Sequence, residues 1–128
     1  MLPFPSLKHF SINELRHPEL VDNAFWIWLD AARDASATPW RITSDARTPE
    51  ENARASGSSA TSLHLTGRAV DFTVKWDREV LWRVVHAVCT TPCFGGVELE
   101  LVQSPRDKHL HLAWLGSGRP SRLVLNLD

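Results

Sequence analysis

The chain has 128 residues, of which 43% are hydrophobic and 23% charged, and its net charge is −1. This length and composition predict a single folded domain over residues 1–128 and exclude a disordered chain. The near-neutral charge argues against nucleic acid as the main partner, and no apolar run approaches the roughly 20 residues that span a bilayer. No membrane span is therefore expected.

Two helices are predicted in the N-terminal third. Ser11 and Glu14 have the spacing of a capping box, in which two side chains satisfy backbone amides at a helix start. Pro18 interrupts this short helix and fits the first turn of a longer helix that runs to about Ala35. The residues of that helix that recur at helical spacing, and are expected to face the core, are Leu20, Ala24, Trp28 and Ala31.

A short strand is predicted over residues 40–43, and the polar stretch over 44–63 is predicted to be a loop or a short irregular helix. Residues 69–74 alternate as in a strand, with Asp71 on the face opposite Val70 and Phe72. Asp77 is predicted to cap a helix that ends near Val88. The inner stripe expected for that helix is Val80, Val84, Val85 and Val88.

Three further strands are predicted over residues 97–102, 109–115 and 122–127. Helices followed by strands predict an α+β fold, with N-terminal helices packed on a mostly antiparallel sheet. Cys89 and Cys93 lie four residues apart around a turn and are interpreted as two small residues near a helix end. A disulfide or a second metal site is the alternative for this pair.

Potential metal ligands lie on two of the predicted strands and just before one of them. His64 and Asp71 are seven residues apart, and His109 and His111 flank one leucine on a strand. Residues two apart on a strand point to the same face, so both strands can present ligands on one side of the sheet. Catalytic zinc takes three nitrogen or oxygen ligands from the protein and keeps a fourth position for water. The residues that form such a set are His64, Asp71 and His111.

Residues 62–71 contain the pattern S-x-H-x-x-G-x-A-x-D, preceded by SDARTPEEN at 44–52 and followed by the HLH of residues 109–111. These motifs resemble the zinc D-Ala-D-Ala carboxypeptidase and L-alanyl-D-glutamate endopeptidase superfamily. The resemblance covers roughly residues 10–115, and residues 10–15 are similar to the start of phage-associated members. It implies a hedgehog-like, DD-peptidase-like fold, bound Zn2+, and hydrolysis of a peptide bond in a peptidoglycan peptide.

The resemblance also implies roles for individual residues. The positions that match the zinc ligands are His64, Asp71 and His111. Arg47 matches an arginine that binds substrate and the developing oxyanion, and a guanidinium suits both tasks because its fork reads carboxylate or carbonyl oxygens. Ser62 is assigned to substrate binding, and His109 is expected to touch the site and stabilise charge. The alternatives are a surface-loop arginine at 47 and a solvated strand histidine at 109.

The general base is where the chain departs from the pattern. Many members have a carboxylate three residues before the third ligand, where this chain has Lys108, which needs a greatly lowered pKa to act as a base at pH 7. Asp107 is one residue out of register. Glu100 ranks close to it, because its strand is expected to form a hairpin with that of His111, and Glu98 ranks third. For each carboxylate the alternative is a solvent-facing side chain.

The first functional hypothesis is a monomeric zinc peptidase, either carboxypeptidase or endopeptidase, that degrades the cell wall in the periplasm or outside it. The N-terminus lacks the features of a secretory signal peptide, which favours a phage-delivered or virion-associated enzyme. The second hypothesis is a non-catalytic zinc-binding cell-wall or assembly module, because the hedgehog signalling domain resembles this family. The third is a metal-free structural protein. Peptidoglycan digestion separates the first two hypotheses, and metal analysis tests the third.

Overall fold

The computed structural model describes residues 6–20, 22–45, 48–54, 63–93 and 95–127. The helices are α1 (Asn23–Ser36), α2 (Pro49–Arg54) and α3 (Arg78–Thr90), with short 3₁₀ turns at Ile12–Glu14, Pro18–Leu20 and Leu63–Thr66. The strands are β1 (Arg41–Ser44), β2 (Ala69–Thr73), β3 (Gly96–Gln103), β4 (Lys108–Gly116) and β5 (Arg122–Leu127). Among the described helices, none combines the length and the apolar character needed to cross a bilayer.

The strands form one five-stranded sheet in the order β1-β2-β4-β3-β5. All neighbouring pairs are antiparallel except β3 and β5, which run parallel. The predicted α+β fold with a mostly antiparallel sheet is therefore confirmed. The expected hairpin of β3 and β4 is present, and its register sets Glu100 opposite His111.

The start of α1 differs from the prediction. The Asp22 carboxylate accepts a hydrogen bond from the Phe25 N–H at 3.0 Å, so the helix begins at Asn23 and Pro18 lies in a separate 3₁₀ turn. The capping box before it is present, because the Glu14 carboxylate accepts the Ser11 N–H at 2.7 Å. A side-chain cap at position 22 thus decides where this helix starts.

The predicted inner stripe of α1 is largely wrong. Leu20 is 37% exposed, and Ala24 and Ala31 are also exposed, whereas Trp28 is buried as expected. The residues that α1 buries are Phe25, Trp26, Trp28, Leu29, Ala32 and Ser36. Helical periodicity fits both faces, and the larger aromatic area on this face decides which one turns inward.

The core lies between α1, α3 and one face of the sheet. Trp26 and Leu29 of α1 and Val84 of α3 are fully buried, and they form one cluster with the apolar residues of β2, β3 and β4. Trp40 stacks on Phe72 with ring centroids 4.2 Å apart. The helices therefore cover one face of the central strands and leave the other face for polar side chains.

The prediction for α3 is close to the structure. The Asp77 carboxylate accepts the Val80 N–H at 2.9 Å and caps the helix. Its buried residues are Val80, Val84, Ala87 and Val88. Val85 is only partly buried, so Ala87 replaces it in the inner stripe. Cys89 and Cys93 are free thiols, which rules out the alternative of a disulfide between them in this structure.

Candidate metal centre

The three side chains predicted to hold a metal converge on the face of the sheet that the helices leave open. Asp71 of β2 pairs with His111 of β4, and His64 comes from the 3₁₀ turn that precedes β2. His111 Nδ1 lies 2.8 Å from Asp71 Oδ1, and His64 Nε2 lies 3.5 Å from Asp71 Oδ2. One ligand atom from each of these three residues lies within 4.8 Å of the other two.

A glycine turn brings His64 back over the strand that carries Asp71. Gly67 has a φ of +69°, which is costly for residues with a Cβ. The Gly67 carbonyl accepts the Asp22 N–H at 3.1 Å, and the Leu63 carbonyl accepts the Arg68 N–H at 3.1 Å. The turn therefore closes directly before β2. This local geometry explains why two ligands seven residues apart face each other.

The donor set fits zinc. His64 is 3% exposed, and its Nδ1 donates to the Asp45 carbonyl oxygen at 2.7 Å, so Nε2 is the nitrogen that faces Asp71 and is available to a metal. Imidazole nitrogens and a carboxylate oxygen are ligands that zinc prefers. One ligand atom from each of the three residues lies within 4.8 Å of the other two, close enough for all three to bind one ion.

The site keeps its carboxylate ionised. Burial by itself raises the pKa of Asp71, but hydrogen bonds and positive charge from His111 and His64 outweigh it and hold that pKa well below its usual range. Burial lowers the pKa of His111, but the hydrogen bond with Asp71 and the charges of Asp71, Glu100 and Glu98 raise it overall. Asp71 is therefore ready to bind a cation, which would displace the His111 proton.

The two leading candidates for the general base lie in different places. Glu100 is half-buried and directly opposite His111 in the β3–β4 ladder. Asp107 lies in the turn before β4 with a side chain that is 61% exposed, and its carboxylate is 2.9 Å from His109 Nδ1. The register thus sets Glu100 beside a ligand, whereas Asp107 contacts His109.

The remaining charged residues of this hairpin are positioned differently. Glu98 points to the same face as Glu100 and forms an ion pair with Arg122 of β5. Lys108 is exposed at the start of β4. His109 has the same strand parity as His111, and its side chain is 23% exposed. His109, two residues before the ligand His111, is therefore paired with the Asp107 carboxylate at the edge of the site.

A family model for peptidase M15 matches residues 10–113. The chain belongs to the peptidase M15 family. That stretch includes His64, Asp71 and His111, and the resemblance of the motif at residues 62–71 to the zinc D-Ala-D-Ala carboxypeptidase and L-alanyl-D-glutamate endopeptidase superfamily is confirmed. The match ends within β4, so β5 lies beyond it.

The fold is similar to that of a solved endopeptidase structure. The crystal structure of the Serratia marcescens L-Ala D-Glu endopeptidase ChiX superposes with a TM-score of 0.56 at 23% sequence identity. The superposition covers 75% of this chain and 81% of that chain. No curated protein sequence matches the chain. At this identity the similarity establishes the shared architecture.

Two site residues suggested by the M15 resemblance, Arg47 and Ser62, lie outside the described residues. Their roles remain predictions. One further contact at the site, from Asp45 to His64, was missed by the sequence analysis. The contact uses the backbone carbonyl of Asp45, so no side-chain pattern indicates it.

Proposed function

We propose that this M15 chain is a zinc peptidase that hydrolyses a peptide bond in the stem or cross-bridge of peptidoglycan. The observation that carries the proposal is the convergence of His64, Asp71 and His111 on the open face of the sheet. Membership of a peptidase family supports hydrolysis. The similarity to an L-Ala D-Glu endopeptidase supports a peptidoglycan peptide as the substrate.

The chemistry requires a cation, a proton acceptor and a group that stabilises negative charge. A zinc ion held by the three ligands would polarise the scissile carbonyl and lower the pKa of a water molecule. Glu100, opposite His111, is the carboxylate best placed by register to accept a proton. Asp107 is the second candidate for this role.

The oxyanion and the substrate need their own contacts. We assign charge stabilisation to His109, whose Nδ1 lies 2.9 Å from the Asp107 carboxylate, a contact that orients the imidazole. Arg47 and Ser62 are assigned to substrate binding on the basis of the family motif. A guanidinium at position 47 would bind a substrate carboxylate or the developing oxyanion.

The setting of the reaction is also a proposal. A peptidoglycan substrate implies activity in the periplasm or the cell wall. Delivery by a phage, as a monomer, is consistent with the similarity of residues 10–15 to the start of phage-associated members. Carboxypeptidase and endopeptidase action are both open, and the similarity to the Serratia marcescens L-Ala D-Glu endopeptidase favours the endopeptidase. The sizes of the peptides released from peptidoglycan distinguish the two.

The proposal is tested by digesting purified peptidoglycan with wild type and with His64→Ala, and by measuring new amino termini. Wild type should release them and bind about one zinc per chain, whereas His64→Ala and His111→Ala should lose both properties. His86→Ala, which removes an exposed histidine of α3, is the matched control and should behave as wild type. Equal release by wild type and His64→Ala would refute metal-dependent hydrolysis.

A second candidate function rests on Lys108. This residue occupies the position where the family resemblance implies a carboxylate in many members, and it is exposed at the start of β4. A chain that binds zinc without releasing amino termini would be a zinc-binding cell-wall or assembly module. One zinc per chain together with undigested peptidoglycan supports this candidate over the peptidase.

A further inference from the structure

We propose that Asp45 is a positioning residue for the metal centre: its backbone carbonyl orients His64, and its carboxylate holds that carbonyl in place. The proposal rests on the proposed zinc site but concerns a residue that the family motif does not assign. Asp45 follows the last residue of β1 and is only 5% exposed. A buried carboxylate at the end of an edge strand needs a compensating contact.

The first step is the contact with the ligand. The Asp45 carbonyl accepts a hydrogen bond from His64 Nδ1 at 2.7 Å. A carbonyl oxygen can only accept, so this bond selects the tautomer with the proton on Nδ1 and leaves Nε2 as the metal-binding atom. Partners of this kind typically change metal affinity by about 10–100-fold when they are lost.

The second step is the anchor of the carbonyl itself. The Asp45 carboxylate accepts the backbone N–H of His17 at 3.1 Å. The pairing of β1 with β2 shifts register between Ile42 and Ser44, and such a bulge redirects the end of a strand. The bond to His17 fixes where the redirected chain stops, and it ties the N-terminal segment to the metal site.

The third step is a further tether on the same segment. His17 Nε2 lies 2.6 Å from a Glu51 carboxylate oxygen, and Arg16 Nε lies 3.0 Å from the other oxygen. Glu51 also accepts the Thr48 N–H at 3.1 Å, while its own N–H donates to Thr48 Oγ1 at 3.2 Å. The N-terminal segment therefore holds the chain at residue 45 and, through the capping box of α2, at residue 48.

The test compares Asp45→Ala with the conservative Asp45→Asn. Asparagine retains an oxygen that can accept the His17 N–H, whereas alanine does not. We expect Asp45→Ala to weaken zinc binding about 10–100-fold in a chelator competition, and Asp45→Asn to stay near wild type. NMR of the metal-free protein should show a protected His64 Nδ1–H in wild type and Asp45→Asn, and its loss in Asp45→Ala.

The structure offers a matched control for a purely structural effect. The Asp30 carboxylate accepts the backbone N–H groups of Lys8 and His9 at 3.1 and 2.8 Å, so it also ties the N-terminal segment to a helix. Asp30→Ala should leave zinc affinity and the His64 signal unchanged. An equal loss of affinity in Asp30→Ala and Asp45→Ala would overturn the positioning role.

Other outcomes separate this inference from the proposed function. Wild-type zinc affinity and a retained His64 Nδ1–H signal in folded Asp45→Ala would overturn the inference alone. A wild type that binds no zinc would refute the proposed function, while the His64 signal still tests the Asp45 contact. If Asp45→Ala does not fold, Glu51→Gln loosens the same segment and should weaken zinc binding in the same direction, and an unchanged affinity there would count against the inference.

Discussion

The two faces of strands β2 and β4 have opposite characters. On the face toward the helices, Val70, Phe72, Leu110 and Leu112 have no exposed surface. On the other face, the side chains of Asp71 and His111 are 16% and 22% exposed and bind each other. A slip of one residue in either strand would exchange the faces and bury a ligand in the core, so the apolar face sets the register that aligns the ligands.

The difference between a buried apolar face and a polar face extends to β3 but not to β5. Leu99 is buried on the helix side, while Glu100 faces the site opposite His111. Leu123, Leu125 and Leu127 continue the apolar row on β5 but are 50–60% exposed. An apolar row therefore becomes core only where helices cover it.

The largest expected effect is on catalysis at the polar face. Replacing the general base should lower turnover by about 10²–10⁴-fold while zinc stays bound, since neither candidate is a proposed ligand. Because Glu100 lies opposite His111, we expect Glu100→Gln to lose more turnover. Asp107→Asn should lose less, because Asp107 contacts His109 and not a ligand. Peptide release and bound zinc are measured together, with Glu79→Gln, an exposed residue of α3, as the control. Full activity in both variants would remove both assignments.

At the apolar face the expected effect is on stability. Leu112→Ala removes a fully buried side chain and should lower the free energy of unfolding by about 2–5 kcal/mol, through lost burial and the cavity left behind. Zinc stoichiometry in the folded fraction should not change, because Leu112 faces away from the ligands. Urea unfolding with and without chelator measures both quantities. A loss of zinc at unchanged stability would contradict the assignment of stability to the apolar face and of metal binding to the polar face.

A moderate effect is expected from pH on the metal-free protein. The lowered pKa of Asp71 contributes stability above the ordinary carboxyl pKa, about 3.9, which is lost as pH falls through the folded value. The raised pKa of His111 contributes stability below about 6.5, which is lost as pH rises through the folded value. The gap in Tm between chelated wild type and His111→Gln should thus be widest between about pH 4 and 6.5. A gap independent of pH would contradict this coupling.

The smallest effect is expected where the apolar row lacks a covering helix. Leu125 is 60% exposed, so Leu125→Ala should change the free energy of unfolding by about 1 kcal/mol or less. The comparison with Leu112→Ala uses the same chemical change on the same side of the sheet. Thermal unfolding of both variants under identical conditions provides the measurement. A loss at Leu125 as large as that at Leu112 would show that a partner covers β5 in solution.

Local patterns predicted much of the molecule. The alternation of residues 69–74 and 109–115 placed Asp71 and His111 on one face, and the structure has these strands within a residue or two of the expected bounds. Asp77 correctly marked the start of α3, because a capping side chain bonds to an amide only three residues away. Gly67 of the motif likewise determines the backbone conformation of its immediate neighbours.

Contacts between distant segments were settled only by the tertiary structure. The choice of buried face in α1 depends on packing against the sheet, and the bond from Asp45 to His64 joins residues 19 apart through a backbone carbonyl. The parallel placement of β5 beside β3 also has no local signal. Periodicity and capping report on the nearest turn of chain, whereas these features follow from how separate elements share buried area and satisfy buried polar groups.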